Sequence, residues 1–393
     1  MRVLLLGTGM QGRAALHDLA RSDSVSAITA ADLDLTGLKH YIRTNLPGAS
    51  IRCEPVDTED EEQLRRLMSG GHDVVVDLLP VPLHAAVTSA AIDAGLHVVN
   101  SSYVDDEIRR LAPRAKQRGS VILPELGMDP GIDLVLLGEA VRLLDEVEEI
   151  VSYGAGFPEP AAADNPLRYK VTWRFEGVLR SYLRPARVIR DGATAEIPAT
   201  EIFAPANIHT VEIPEVGRLE AFPNGDALDY VDLLGLDRSR LQRMERCVLR
   251  WPGHCALWKT LVDLRLLDDE PLDVNGVAVD RRGFLAAALE PQTRYRDGER
   301  DVVVVRVEAR GRRDGRPHRV ALQLVDRRDL ESGLSAMSRT VGFAASIGAQ
   351  LIGRGLIAGA GLLSPVRDVP FEPFVGELRK RQIIVEQEDS AIG

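Results

Sequence analysis

Six residues near the start of the chain, Gly7-Thr8-Gly9-Met10-Gln11-Gly12, have the types and spacing to hold a pyrophosphate. Gly7 allows a tight turn, Gly9 lets the backbone approach the phosphates, and Gly12 lets the following helix pack close to a strand. The helix start adds unpaired N–H groups and the positive end of a dipole. Asp32 stands about 20 residues further on, where a carboxylate accepts hydrogen bonds from the adenosine ribose. A carboxylate there repels a 2′-phosphate, so the pattern favours NAD, with NADP as the alternative. A glycine turn in an α/β protein that binds no dinucleotide is the competing use.

Such a motif means something only between a buried strand and a helix, and the sequence supplies both. Arg2 to Leu6 is a short apolar run, and Arg13 to Ala20 has helical spacing. Val25 to Ala31 reads as the next strand, Leu35 to Thr44 as a helix, and Ile51 to Val56 as a third strand. Thr58 is placed to cap a helix over Glu59 to Met68. Further strands are expected over Asp73 to Leu79, His97 to Asn100 and Ser120 to Pro124, with helices at His84 to Ala94 and Asp105 to Arg118. This alternation defines a doubly wound parallel sheet. Ligands bind such sheets at the carboxyl ends of the strands. Asp57, Leu79, Pro80 and Tyr103 therefore join Met10 and Gln11 as expected cofactor contacts, although packing is an equal use for Tyr103.

The pattern changes near Leu126. Gly127 to Asp133 is a turn that feeds a helix over Leu134 to Leu144, and strands then dominate to about Val325. They are expected at Glu148 to Tyr153, Lys170 to Phe175, Arg187 to Arg190, Arg246 to Trp251, Val302 to Ala309 and His318 to Val325. Turn signals such as Arg190-Asp191-Gly192 separate them. We expect a Rossmann dinucleotide-binding domain over 1–126 and an inserted α+β substrate and dimerisation domain, on a mostly antiparallel sheet, over 127–332. The segment 333–393 is expected to return as helix onto the Rossmann domain. Its long helix covers Gly333 to Leu356, with a glycine-rich exit over Ile357 to Gly361.

Composition narrows the function classes. The formal net charge is −11 with both signs scattered, which argues against a nucleic-acid footprint. Three cysteines, Cys53, Cys247 and Cys255, suit a reducing compartment rather than a disulfide framework. No C-x-x-C is present and the histidines do not cluster, so no metal site is expected. The apolar stretch from Val341 to Leu363 is broken by glycines and Arg354, which reads as a packed helix rather than a membrane span. The expected setting is the cytoplasm.

Several side chains could do chemistry beyond the nucleotide turn. Asp129 and Asp133 can line a cofactor and substrate cleft or cap the helix that follows. Lys170 and Tyr169 are acid/base candidates by type, although anchoring a carboxylate is the favoured use of Lys170. Asn224 and Asp226 can bind polar substrate groups or form a surface turn. His254, between Trp251 and Trp258, reads as a buried, satisfied histidine.

Longer segments carry a resemblance. They are Pro124 to Asp133 (PELGMDPGID), Ser152 to Pro160 (SYGAGFPEP), Asp164 to Trp173 (DNPLRYKVTW), Glu176 to Leu179 (EGVL), Leu219 to Asp226 (LEAFPNGD) and Gly333 to Ile352 (GLSAMSRTVGFAASIGAQLI). With the glycine motif, these segments resemble the saccharopine dehydrogenase family, especially its glutamate-forming reductases and the neighbouring lysine 6-dehydrogenases. The resemblance implies an NAD(P)-dependent oxidation at a CH–NH bond of a lysine-derived amino acid, giving an imine that water hydrolyses. Saccharopine would yield glutamate and 2-aminoadipate 6-semialdehyde, and lysine would yield the semialdehyde and ammonia. A homodimer is also implied, with a small amino-acid substrate and neither nucleic acid nor membrane as partner. In this reading Asp129, Lys170 and Tyr169 serve catalysis. Asp133, Lys170, Arg174, Asn224 and Asp226 hold substrate.

One departure bears on the substrate. The glutamate-forming reductases carry arginines in the segments that match Arg174 to Gly177 and Pro223 to Asp226, and here those places read Glu176 and Gly225. Saccharopine has three carboxylates, and bidentate arginine pairs are among their strongest anchors. Other amines, as in carboxyspermidine-type dehydrogenases, and a nucleotide-binding scaffold without turnover are the competing readings.

Overall fold

The computed structural model describes residues 1–172 and 175–392. The chain divides into two compact units, one of residues 1–139 and 329–385, the other of 140–328 and 386–393. The expected boundaries at 126 and 332 shift accordingly, and the last residues belong to the second unit rather than to a returning helical segment.

The first unit opens with β1 (Arg2–Leu6), α1 (Met10–Leu19), β2 (Ala27–Asp32), α2 (Thr36–Asn45) and β3 (Ile51–Pro55). It continues with α3 (Glu61–Met68), β4 (Val74–Asp77), α4 (His84–Asp93), β5 (His97–Asn100), α5 (Asp106–Arg118) and β6 (Val121–Leu123). Helix α6 (Ile132–Arg142) then leads out of it. The helix over 61–68 is capped by Asp60, whose carboxylate accepts from the N–H groups of Glu62 and Gln63. Thr58 therefore does not cap it. Asp is as good a cap as Thr, and the nearer one sets the start.

The second unit contains β7 (Glu146–Pro158), α7 (Phe175–Ser181), β8 (Ala186–Arg190), β9 (Ala193–Ile197), β10 (His209–Ile213) and β11 (Gly217–Pro223). There follow α8 (Asp229–Leu233), β12 (Arg243–Arg250), α9 (His254–Asp263), the hairpin β13 (Leu272–Val274) and β14 (Val277–Val279), and α10 (Arg281–Leu289). The long strands β15 (Asp301–Arg313) and β16 (Arg316–Arg327) complete it. Of the strand expected over Lys170 to Phe175, the described residues, 170–172 and 175, form none. The Asn165 side chain holds both backbone groups of Tyr169, Arg168 is left-handed, and Phe175 already begins α7.

The chain then returns to the first unit through α11 (Ala336–Gly353), β17 (Gly361–Leu362), α12 (Pro365–Asp368) and α13 (Phe371–Lys380). It ends in the second unit as β18 (Glu386–Ala391). The glycine-rich exit therefore supplies a strand.

The first unit's sheet has the order β17-β6-β5-β4-β1-β2-β3 and is parallel throughout. Its central strands read as unbroken apolar runs because helices cover both faces. Helix α11 packs close to α1, since a Cβ at Gly342 would lie 2.4 Å from the Gln11 carbonyl oxygen. Ser346 and Gln350 of α11 donate to the buried Asp18 of α1, and Arg381 pairs with the same carboxylate. The second unit's sheet follows β10-β11-β12-β7-β15-β16-β18 and is mixed, because β7 runs parallel to β12 and antiparallel to β15. Aromatic side chains from Phe157, Tyr169, Tyr182, Phe203, Phe222 and Trp258 fill one of its faces.

Candidate functional site

The glycine turn sits at the carboxyl end of β1 and opens α1, and its shape comes from close backbone approach. Gly7 has a φ of +82°, and a Cβ there would lie 2.6 Å from the Leu78 carbonyl oxygen. A Cβ at Gly12 would lie 1.9 Å from the Gly7 carbonyl oxygen. Gly9 differs, because a Cβ there would meet nothing within 4 Å. The space over the helix start is therefore open, and no side chain caps α1. An uncapped helix start beneath open space fits a dinucleotide pyrophosphate.

Asp32 ends β2 and faces this turn. One of its oxygens accepts from the Thr8 backbone N–H at 2.6 Å and the Thr8 hydroxyl at 2.8 Å, and the other accepts from the Leu33 N–H at 2.7 Å. Arg13 donates from Nε to the Thr8 carbonyl, and its guanidinium lies over the Tyr41 ring at 5.9 Å. Among the described residues no carboxylate pairs with Arg13, a cation the sequence reading passed over. Asp57 is exposed and accepts from the Glu59 N–H, so its observed use is to shape the loop after β3.

At the carboxyl ends of β4, β5 and β6 the loops are tied by polar side chains. Leu79 N–H donates to Asp77, and Pro80 is exposed. Tyr103 donates its hydroxyl hydrogen bond to Asp129 at 3.2 Å, which brings two expected site residues together. Asp133 is buried and accepts from the Gly131 N–H at 2.7 Å. That contact fixes the turn in which a Cβ at Gly131 would lie 2.1 Å from the Gly127 carbonyl oxygen. A cavity of about 870 Å³ also opens in this unit, lined by residues such as Asp18, Arg21, Arg339 and Arg381. None of the glycine-turn residues lines it.

The second unit holds the remaining expected residues. The Lys170 side chain is buried and pairs with Asp164 at 2.9 Å and with Glu299 at 2.7 Å. A lysine acting as base would have to leave two carboxylates. Tyr169 is buried, with its hydroxyl accepting from Arg250 at 3.3 Å and its ring 4.6 Å from that guanidinium. Asp226 pairs with Arg187 at 2.7 Å and caps the Leu228 N–H, while the Asn224 N–H donates to the Arg246 carbonyl. Glu176 is paired with Arg180, one turn on in α7. Arg174 lies outside the described residues. His254 is buried and bonded to the Tyr182 hydroxyl at 2.8 Å, and burial holds it well below the usual histidine range.

Sequence reasoning missed Arg250. It sits in a buried strand, and no carboxylate among the described residues pairs with it. Its Nε has no hydrogen-bond partner. The strand that carries it reads RMERCVLR, with four charged residues in eight, so no sequence signal singled it out.

Among the described residues no cluster of His, Cys, Asp and Glu could hold a metal, and no helix is long and apolar enough to cross a membrane. A parallel sheet of this order, an open glycine turn on α1 and a second unit on a mixed sheet define a dinucleotide-dependent oxidoreductase. The "Saccharopine dehydrogenase NADP binding domain" matches residues 3–123, and the "Saccharopine dehydrogenase C-terminal domain" matches 127–384. The chain belongs to the saccharopine dehydrogenase family. It is 27% identical to saccharopine dehydrogenase [NADP(+), L-glutamate-forming] of Saccharomyces cerevisiae, over 96% of this chain and 97% of that one. It is 26% identical to the mitochondrial alpha-aminoadipic semialdehyde synthase of Bos taurus, over 98% of this chain and 47% of that one. The apo structure of saccharopine dehydrogenase (L-Glu forming) from Saccharomyces cerevisiae superposes with a TM-score of 0.86 at 25% identity, covering 99% of this chain and 100% of that one.

Proposed function

We propose that the chain oxidises saccharopine at its secondary amine, with NADP as cofactor, to give glutamate and 2-aminoadipate 6-semialdehyde. The observation that carries this reading is the likeness to the glutamate-forming enzymes along nearly the whole length of both chains. The bound nicotinamide would supply the hydride acceptor. The glycine turn would hold its pyrophosphate. Asp32 favours NAD by charge alone. Here, though, its oxygens already accept from Thr8 and Leu33. The unpaired guanidinium of Arg13, bonded to the same turn, offers a 2′-phosphate its counter-charge. The Tyr103–Asp129 pair supplies a hydroxyl held by a carboxylate. Such a pair can orient the substrate nitrogen or the water that attacks the imine.

Two observations favour saccharopine over lysine. Arg250 is a buried cation with no carboxylate of its own, and such a charge calls for an anionic ligand. The Glu176 charge, which would suit a smaller cationic substrate, is answered by Arg180. A homodimer in a reducing, cytoplasmic setting completes the proposal.

The test is absorbance-monitored cofactor reduction with saccharopine and, separately, lysine, each with NADP and NAD. Turnover of saccharopine with NADP is expected. Arg250→Met is expected to raise the saccharopine KM about 10- to 100-fold, as the loss of a charged hydrogen bond of about 1.5–3 kcal/mol. Turnover of lysine alone would overturn the proposal.

A further inference from the structure

Three residues of the nucleotide unit that the reading above does not use form a hydrogen-bonded chain. Asp77 closes β4 with no exposed surface. It accepts from His84 Nδ1 at 2.7 Å on one oxygen and from the Leu79 N–H at 3.1 Å on the other. Because a carboxylate only accepts, His84 Nδ1 carries a proton, and the second ring nitrogen is the one free to change state. That nitrogen, Nε2, lies 2.9 Å from the Ser102 hydroxyl. His84 is itself buried, at the start of α4. Ser102 is half-buried after β5, beside Tyr103. Its backbone is fixed by a bond to the Asn100 side chain and by one from the Glu125 N–H to its own carbonyl.

Acid, imidazole and hydroxyl thus stand in the order in which a base is oriented by one neighbour and exchanges a proton with the other. We propose that Asp77, His84 and Ser102 are a proton relay at the carboxyl end of the nucleotide-binding sheet, with His84 setting whether the Ser102 hydroxyl donates or accepts. With His84 neutral, Ser102 donates to Nε2 and presents its lone pairs outward. With His84 protonated, Nε2–H donates to Ser102, whose own proton is free to point outward.

In the forward step a substrate ammonium loses an N–H proton to Ser102 Oγ. The original Ser102 proton moves to His84 Nε2, and the imidazolium forms against the Asp77 carboxylate. No electrons leave the relay, and the proton returns by the same path. Burial alone would lower the pKa of His84, but the bond and charge of Asp77, with the charge of Asp105 beyond it, outweigh burial and raise it. These are the charged groups that face the ring. The role of Asp105 is otherwise structural, capping the Ile108 N–H at the start of α5.

The turnover arm of the test rests on the saccharopine reading, and the titration arm does not. Histidine-labelled NMR of the full chain, assigned with His84→Gln, should show a His84 midpoint above about 6.5. Asp77→Asn should lower it by about one pH unit or more. A His84 that does not titrate between about pH 5 and 9, or that ignores Asp77→Asn, overturns the relay. If the wild-type chain turns saccharopine over, His84→Gln and Ser102→Ala should each lower kcat about 100-fold. Cofactor KM should stay within about twofold, since neither residue is in the glycine turn. The limb of the kcat–pH profile set by His84 should vanish in His84→Gln, and Ser102→Thr should restore part of kcat. An unchanged profile in His84→Gln overturns the proposal, as does labelling of Ser102 by a fluorophosphonate, which would make it a nucleophile. If the wild type is silent with saccharopine, the functional reading fails and the titration still decides the relay.

Discussion

The sheets of the two units treat a carboxylate on a strand differently. In the nucleotide unit, Asp32 and Asp77 end parallel strands and are met by backbone N–H groups, a threonine hydroxyl and one imidazole. In the second unit, Glu245 lies within β12 at 2% side-chain exposure and is met by two guanidinium groups, from Arg190 and Arg243. Glu308 of β15, met by Arg306 and Arg319, repeats the pattern. The difference follows from the sheets. A parallel strand covered on both faces tolerates polar groups only at its end, where loop N–H groups converge. A long strand of a mixed sheet keeps one face against polar neighbours and can carry a charge midway if another strand brings its counterpart. The first arrangement leaves lone pairs and a titratable ring at the strand ends. The second spends charge on holding strands together.

The contrast breaks most visibly at the glycine turn. Gly12→Val would force a side chain onto the Gly7 carbonyl, with a Cβ only 1.9 Å from it. The expected cost is about 3 kcal/mol or more. Nucleotide binding should be lost in calorimetry while the circular-dichroism signal of the second unit's strands persists.

Next in size is Glu245→Ala. Removing one partner of a fully buried pair costs about 3–5 kcal/mol, but both arginines reach water, so about 2–3 kcal/mol is expected in urea unfolding. Burial alone would raise the Glu245 pKa, yet the bond from Arg190 and the charge of Arg243 hold it below the usual range. Its stabilisation is therefore present above about pH 4.5 and is lost as pH falls through the lower folded value. The variant should lack that part of the acid slope. An identical slope would show that the pair does not act as the second unit's charge clamp.

The smallest effect sharpens the comparison. Asp32→Ser removes one charge from the turn and should raise the NADP-to-NAD ratio of kcat/KM about 10-fold, or about 1.4 kcal/mol. An unchanged ratio would mean that the Thr8 and Leu33 bonds already mask the carboxylate.

The sequence by itself determined the nucleotide unit. Glycines 7, 9 and 12 with the run before them admit one local solution, since Gly7 and Gly12 each answer a backbone contact a few residues or one strand away and Gly9 leaves the space over the helix start open. The D-P-G-I-D turn was legible for the same reason, as Asp133 bonds the nearby Gly131 N–H. Short-range preferences also misled, because Asp60 rather than Thr58 caps α3, and Asn165 with left-handed Arg168 shapes a loop just before the point where a strand was expected to begin at Lys170. Only the tertiary structure decided which charges are free. Nothing local pairs Lys170 with Glu299, at 129 residues' separation, or leaves Arg250 without a carboxylate. Nothing local brings Ser102 to His84 either, because that contact depends on β4 and β5 lying side by side. Sequence spacing fixes what neighbours along the chain can reach, whereas pairing across strands is set by the packing of the whole sheet.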